Sequence, residues 1–380
     1  MDKNILDICW KKRNGQIIAS WDDIAEEYGY ADGEKLRLLF KSHRRKMDRE
    51  SVSPVESIIT QAVETLNELD VKKEIIKLRD QRRELNKVVM QSARFEYFKD
   101  EVVRVFKEEN KVNPIIVKPQ VCTFQDNNEM LALWADWHYS MFCDNHWNQY
   151  STEVFKERFD KLINETISIG KFHGVNTVTV MALGDLLSGA IHVSVRVAST
   201  EDIIEQTKDV AKYIVDGLKT LANNFELVNF HTVIGNHSRV VANKHDALEN
   251  ENFENLIHWY VESRFEDVPN VIIHNNTKDK TVAMANINGH LVYGVHGDLD
   301  RLSNVVQNLS LMFKEIPYMI CMGHLHHHQE DTVQGVKVLM TGSLVGTDEY
   351  AKNIRKVGSP SQAVVIFDEK GKRCVYDVEL

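Results

Sequence analysis

Two carboxylates, one amide and a set of imidazoles fall in five short groups: Asp136-x-His138, Gly184-Asp185, Gly235-Asn236-His237, His296-Gly297 and Gly323-His324-x-His326. Oxygen and imidazole donors without thiolate suit Mn, Fe, Zn, Ni or Co. One ion takes about four to six ligands, so the set is large enough for two, with a carboxylate able to bridge them. Two ions about 3.5–4 Å apart can clamp a phosphate and acidify a water that attacks phosphorus in line. Their charge would also offset the carboxylates, so that an anionic substrate can approach an acidic domain. A lone Gly-Asp or Gly-Asn-His is an ordinary loop. The combination, with each group following a strand-like run, carries the reading.

The elements that would position these groups are visible as apolar runs. Leu131–Trp134 precedes Asp136, Thr177–Leu183 precedes Gly184, and Leu227–Ile234 precedes Gly235. Likewise His290–Val295 precedes His296, and Met319–Met322 precedes Gly323. Helical stretches are expected at Thr152–Phe172, Glu201–Asn224 and Glu249–Phe265, with further strands at Val271–His274, Thr281–Ile287, Val336–Met340 and Ala363–Phe367. The mixture predicts an α/β fold, a sandwich of paired sheets with helices outside. Ligand sites in open α/β sheets lie at the carboxyl ends of strands, so five such ends can converge on one site. Glycines beside the ligands let the backbone turn sharply.

The order D-x-H, GD, GNH, H, GHxH resembles the calcineurin-like metallophosphoesterase family, over about 250 residues from Glu129 to near the C-terminus. The resemblance implies a two-sheet β-sandwich metallophosphoesterase core flanked by helices, here preceded by an all-α N-terminal region. It further implies that Asp136, His138 and His326 hold one metal and Asn236, His296 and His324 a second, with Asp185 bridging. His237 would not bind metal; it would polarise the phosphate or protonate the leaving oxygen as a general acid. The cofactors implied are two divalent metal ions, manganese first, with Fe, Zn, Ni or Co as alternatives. Many members continue the second motif to a further acid and end the third in Asp or Glu. This chain has Leu186-Leu187-Ser188 and Ser238 at those places, so any carboxylate that orients His237 must come from elsewhere. None of the seven ligand positions is missing, which argues against an inactive relative. Weaker candidates are His192 and Arg196 for the phosphate, Trp137 and Tyr139 as stacking or wall residues, and Asp298 as a partner of a ligand histidine. His327 and His328 extend the last motif without a ligand role.

The organisation reads as residues 1–50, a helix-turn-helix-like helical domain; 51–120, a long helical connector and linker; and 121–380, the metallophosphoesterase-like domain. In the first, Ile5, Ile8, Cys9 and Trp10 line a short helix closed at Asn14-Gly15, and Ser20 caps a second. Glu34–Met47 forms a third helix with Leu36, Leu38, Leu39 and Phe40 on its apolar side. Arg37, Lys41, Arg44 and Arg45 gather on one flank of it and are the nucleic-acid-binding candidates. Between Pro54 and Asn110 there is no glycine, which favours long helices and a homodimer through them. Ile115, Ile116 and Val117 read as an edge strand in the linker.

The chain has 380 residues, 43% hydrophobic and 27% charged, ordinary values for a globular protein with a sizeable core. No apolar run approaches a membrane span and no signal-like stretch begins the sequence, so a cytoplasmic protein is expected. The five cysteines lie far apart without a CxxC pair, which favours free thiols. The net charge of −10 is uneven: residues 1–120 carry 24 Lys+Arg against 22 Asp+Glu, so the excess acid lies beyond them. The leading expectation is a two-metal phosphodiesterase acting on DNA as a nuclease or exonuclease. The repair exonucleases of the family have a similar catalytic arrangement, and the helical region placed first is similar to bacteriophage metallophosphoesterases. The alternatives are a phosphodiesterase or phosphatase on a small nucleotide or phosphoprotein, and a DNA-binding or assembly protein with secondary phosphoesterase activity.

Overall fold

The computed structural model describes residues 2–50, 72–83, 85–86, 104, 113–118, 127–191 and 193–380. His192, Cys122, the side chain of Arg45 and most of the 51–120 connector lie outside the described residues. The homodimer expected through that connector lies outside them too. The chain divides into two compact units, Met1–Phe95 and Glu96–Leu380.

In the first unit, helices α1 (Lys3–Arg13), α2 (Trp21–Glu27) and α3 (Gly33–Glu50) are built around Cys9, Ile24, Ala25, Leu36 and Phe40. Ser20 and Asp23 form a reciprocal capping box at the start of α2, satisfying two backbone donors that the helix leaves open. Trp10 meets Phe40 edge-on at 5.4 Å. Leu38 and Leu39 depart from expectation and are half-exposed. Leu36 and Phe40, four residues apart, share the core face, and the 3.6-residue period turns the two leucines between them away. Residues 72–83 are also helical.

In the second unit, the larger sheet has the order β13 (Gly371–Glu379), β12 (Ser361–Asp368), β1 (Asn128–Trp134), β4 (Val175–Ala182), β5 (Leu227–Thr232), β6 (Val271–Ile273). A five-stranded sheet runs β10 (Gln329–Val333), β11 (Val336–Met340), β9 (Met319–Met322), β8 (His290–Val295), β7 (Val282–Ile287). A small hairpin joins β2 (Cys143–Asp144) to β3 (Gln149–Tyr150). Strand alternation decides the layers. Leu131, Leu133 and Ala135 enter an apolar layer shared with Ala283, Val292, Cys321 and Leu339 of the smaller sheet. Met130, Ala132 and Trp134 point the other way, onto Phe155, Phe159 and Leu162 of α4 (Thr152–Phe172) and Val210, Ile214 and Leu218 of α6 (Ile203–Ala222). The far face of the smaller sheet is covered by Val305, Val306 and Leu309 of α8 (Val305–Phe313). The fold is thus mixed α/β with several sheets.

Register brings the motifs together. β1, β4 and β5 are parallel, with Trp134 opposite Ala182 and Ala182 opposite Thr232, so Asp136, Asp185 and Asn236 leave the sheet at one end. β8 and β9 are parallel, with Val295 opposite Met322, which places His296 beside the His324 turn. Three shorter helices, α5 (Val193–Ala198), α7 (Phe253–Phe265) and α9 (Glu349–Asn353), lie in the intervening chain. Residues 114–118 form no strand; Ile115 and Val117 instead pack onto the core, correcting the edge strand expected there. Among the described residues, no helix is long and apolar enough to cross a membrane.

Candidate metal centre

The strand ends are stitched to one another by the backbone before any side chain is considered. The Asp136 N–H donates to Gly184 O at 3.1 Å and the His138 N–H to Asp185 O at 3.0 Å. Asp136, His138, Asp185, His324 and His326 all have left-handed backbones, with φ of 51°, 43°, 51°, 70° and 57°. Such a conformation costs a non-glycine residue roughly 1–2 kcal/mol, and Asp, Asn and His accept it more readily than most. The turns also touch. A Cβ on Gly235 would lie 2.1 Å from Asp185 N, and one on Gly323 would lie 2.9 Å from Asp136 Oδ2.

These turns aim their side chains at one buried place. His138 Nε2 and His326 Nε2 are 3.2 Å apart, and His326 Nε2 is 3.4 Å from Asp136 Oδ1. His296 Nε2 lies 3.1 Å from Asp185 Oδ2 and 3.0 Å from Asn236 Oδ1. Three overlapping groups offer ligand atoms within 4.8 Å of one another: Asp136, His138 and His326; His138, Asp185 and His237; Asp185, His296 and His324. His237, expected to stand apart from the ligands, is therefore within ligand reach as well. Asp136 Oδ1 is buried and receives no well-directed hydrogen bond, as a donor atom reserved for a cation would be. The donor set and this orphaned oxygen fit a divalent-ion centre.

Electrostatics follow from that crowding. Burial opposes charge on Asp185, but the imidazoles of His296 and His237 outweigh it and hold its carboxyl well below the usual range. Burial also opposes charge on His296, which the Asp185 carboxylate nonetheless raises to about 10. His138 goes the other way, pushed well down by burial and by the neighbouring His237 and His326. Ring orientation is set by backbone acceptors. His296 Nδ1–H donates to Leu183 O at 2.8 Å and His237 Nδ1–H to Ser188 O at 3.0 Å, leaving each Nε2 turned inward. A carbonyl thus orients His237, where the sequence reading looked for a carboxylate.

Sequence reasoning missed Glu254. It is buried at the start of α7 and accepts from Leu186 N at 2.7 Å and Gly235 N at 2.6 Å, although burial and Asp185 push its carboxyl up to about 7. Arg158 was missed too. Its guanidinium donates to Leu344 O and Val345 O, the residues whose N–H groups face Asp136 O. Trp137 and Tyr139 are buried in the core, Trp137 against Phe155 and Phe159 and Tyr139 against Phe155 and Tyr213. Asp298 pairs with Lys244 at 2.9 Å; its charge also acts on His296 and His324, but no hydrogen bond joins it to either among the described residues. His328 faces Glu330 and Asp377, away from the centre. Arg196 is exposed on α5, with no ion pair to the ligand groups among the described residues.

No family model and no curated protein matches the chain. Among solved structures it is similar to an archaeal phosphodiesterase (15% identity, TM-score 0.34, covering 66% of this chain and 99% of that one). It is also similar to Vps29 from Entamoeba histolytica complexed with zinc (15% identity, TM-score 0.30, 65% and 98%). A third is a conserved uncharacterized protein from Streptococcus pneumoniae described as a predicted phosphoesterase (9% identity, TM-score 0.27, 67% and 98%). At these identities and TM-scores the reading of the site rests on its own geometry.

Proposed function

We propose that the second unit is a two-metal phosphoesterase of the calcineurin-like type. Asp136, His138 and His326 would hold one divalent ion and Asn236, His296 and His324 the other, with Asp185 between them and manganese the first choice. The observation that carries this is the chain of three overlapping ligand groups, linked through His138 and Asp185. Such ions, when bound, supply Lewis acidity toward a phosphoryl oxygen and make water a nucleophile at neutral pH. The protein's own part is to fix the donors before substrate arrives, through left-handed turns, glycine contacts and buried hydrogen bonds. His237 keeps a proton on Nδ1 against Ser188 O. Once protonated, its Nε2, 3.9 Å from Asp185 Oδ2, can donate to a phosphoryl oxygen and pass a proton to the leaving oxygen.

The finer reading is a phosphodiesterase on DNA. It is supported by the helical first unit, whose α3 presents exposed Arg37 and Lys41, the former also 3.6 Å from Glu34. Incubation with Mn²⁺ against single-stranded DNA, duplex DNA, RNA, cyclic nucleotides and an aryl phosphodiester tests both levels. Hydrolysis of the aryl ester but not of DNA would remove the nuclease reading alone. Absence of any hydrolysis, together with failure to bind two ions, would remove the phosphoesterase.

A further inference from the structure

The metal-bearing turns of Asp185 and Asn236 come from different strands, and one short stretch of α7 holds both. Glu254 Oε1 takes the Leu186 N–H and Oε2 the Gly235 N–H. The same helix start supplies Asn252, whose Nδ2 donates to Gly235 O at 2.9 Å while its Oδ1 caps Glu254 N at 2.9 Å. Both peptide groups flanking Gly235 are thereby fixed, one residue before Asn236. Asp185 is fixed from the residue after it. The turns also meet directly: the His237 N–H donates to Asp185 Oδ1 at 2.8 Å, and a Cβ on Gly184 would lie 2.6 Å from Gly235 N. Meanwhile Ser238, where many members of the resembled family carry an acid, is buried with its hydroxyl unpaired.

We infer that Glu254 is a positioning residue, a two-acceptor clip that sets the spacing between the bridging carboxylate of Asp185 and the amide of Asn236. It supplies from α7 an outer carboxylate that position 238 does not. The inference rests on the two-metal reading and adds to it the group that holds the second ion's ligands in register. Its chemistry is specific. Both partners are N–H donors, so only a carboxylate offers an acceptor to each. Glutamine has the same shape but turns an N–H₂ toward one of the two donors, which leaves a buried donor without an acceptor.

The test is calorimetric titration of the full chain with Mn²⁺ alone, comparing wild type, Glu254→Gln and Glu254→Asp. Loss of an outer-shell partner typically costs about 10–100-fold in metal affinity. Glu254→Gln should weaken the second ion, which depends on both Asn236 and Asp185, by about that factor, and should weaken the first, which shares only Asp185, by less. Glu254→Asp keeps two acceptors on a shorter stem and should fall between. Amide hydrogen exchange at Leu186 and Gly235 should speed up in both variants; if the glutamine chain does not fold, the aspartate chain carries the test. Two ions bound by Glu254→Gln with wild-type affinity would overturn the inference and leave the phosphoesterase reading intact. Equal weakening of both ions with a lowered melting temperature would reduce Glu254 to a brace of the fold. A wild-type chain that binds fewer than two ions would overturn the two-metal reading and the inference with it.

Discussion

Gly235→Ala isolates the contact between two ligand turns. The added methyl would sit 2.1 Å from Asp185 N and 2.2 Å from Asp185 Oδ1, against an ordinary contact of at least 3.4 Å. Relief requires the Asp185 turn to retreat by ~1.3 Å, because the atom met is backbone and cannot swing aside. That retreat acts directly on the 3.1 Å separation between Asp185 Oδ2 and His296 Nε2 and on the 2.8 Å bond from His237 N to Asp185 Oδ1. Misplacement by about 1 Å at a reacting centre costs about 10²-fold in rate. Overpacking of this kind costs about 1–3 kcal/mol in stability. The second unit spans 285 residues, Glu96 to Leu380, which at about 2.1 cal/mol/K per residue makes the shift in Tm only about 2–5 °C. The variant should therefore fold, bind Mn²⁺ more weakly and hydrolyse an aryl phosphodiester about a hundredfold more slowly. Gly289→Ala is the control. Its Cβ would meet nothing within 4 Å, and its φ of +83° imposes only local strain of about 1–2 kcal/mol, without effect on metal binding. Wild-type metal affinity and rate in Gly235→Ala would refute the steric argument.

Other outcomes separate roles. His237→Ala should keep both ions yet lose about 10²–10⁴-fold in rate, whereas His296→Ala should lose metal; equal metal loss by elemental analysis in both would put His237 among the ligands. His231, stacked on His274 at 4.3 Å, is pushed down to about 3 by burial and then by His274 and His258. The unfolded ring titrates near 6.5, so between pH about 6.5 and about 3 the unfolded chain binds the extra proton and stability falls as pH falls, on the order of 3–5 kcal/mol over that window. Urea unfolding of His231→Phe should show a flatter acid slope than wild type; identical slopes would exclude His231 as the cause. In the first unit, Arg37→Glu with Lys41→Glu should weaken duplex DNA binding and reduce the salt slope by about 0.9 per lost phosphate contact, while sparing a small aryl ester. Unchanged DNA affinity would remove nucleic acid as the partner of α3.

The convergence of the candidate ligand groups was legible because each sits where an apolar run stops. Thr152–Phe172, His290–Val295, Met319–Met322 and Val336–Met340 were readable to the residue, since their apolar period is uninterrupted. β10 was not, because most of its residues are exposed, and β13 alternates too weakly to stand out from a polar tail. Glu254 was invisible for a different reason. Its partners are backbone donors, which leave no mark on residue type, and it lies in a stretch that reads simply as helix. Leu38 and Leu39 misled because an apolar residue on a small helical bundle need not be inward. Spacing along a single helix resolves the core face only when the neighbouring helices are placed.

The left-handed turns change how this centre should be dissected. Alanine, the usual probe for a ligand, is poorly suited to φ near +50°, so Asp136→Ala or Asp185→Ala would disturb the main chain and the coordinating atom together. Asparagine keeps the turn while giving up the charge, and is the cleaner replacement at both positions. The same geometry narrows the substitutions open to the lineage. A ligand can be exchanged for Asn or Gly with its loop intact, but a β-branched replacement would dismantle the loop that carries it. Loss of function at such a position therefore reports on two things at once, and only the pair of replacements tells them apart.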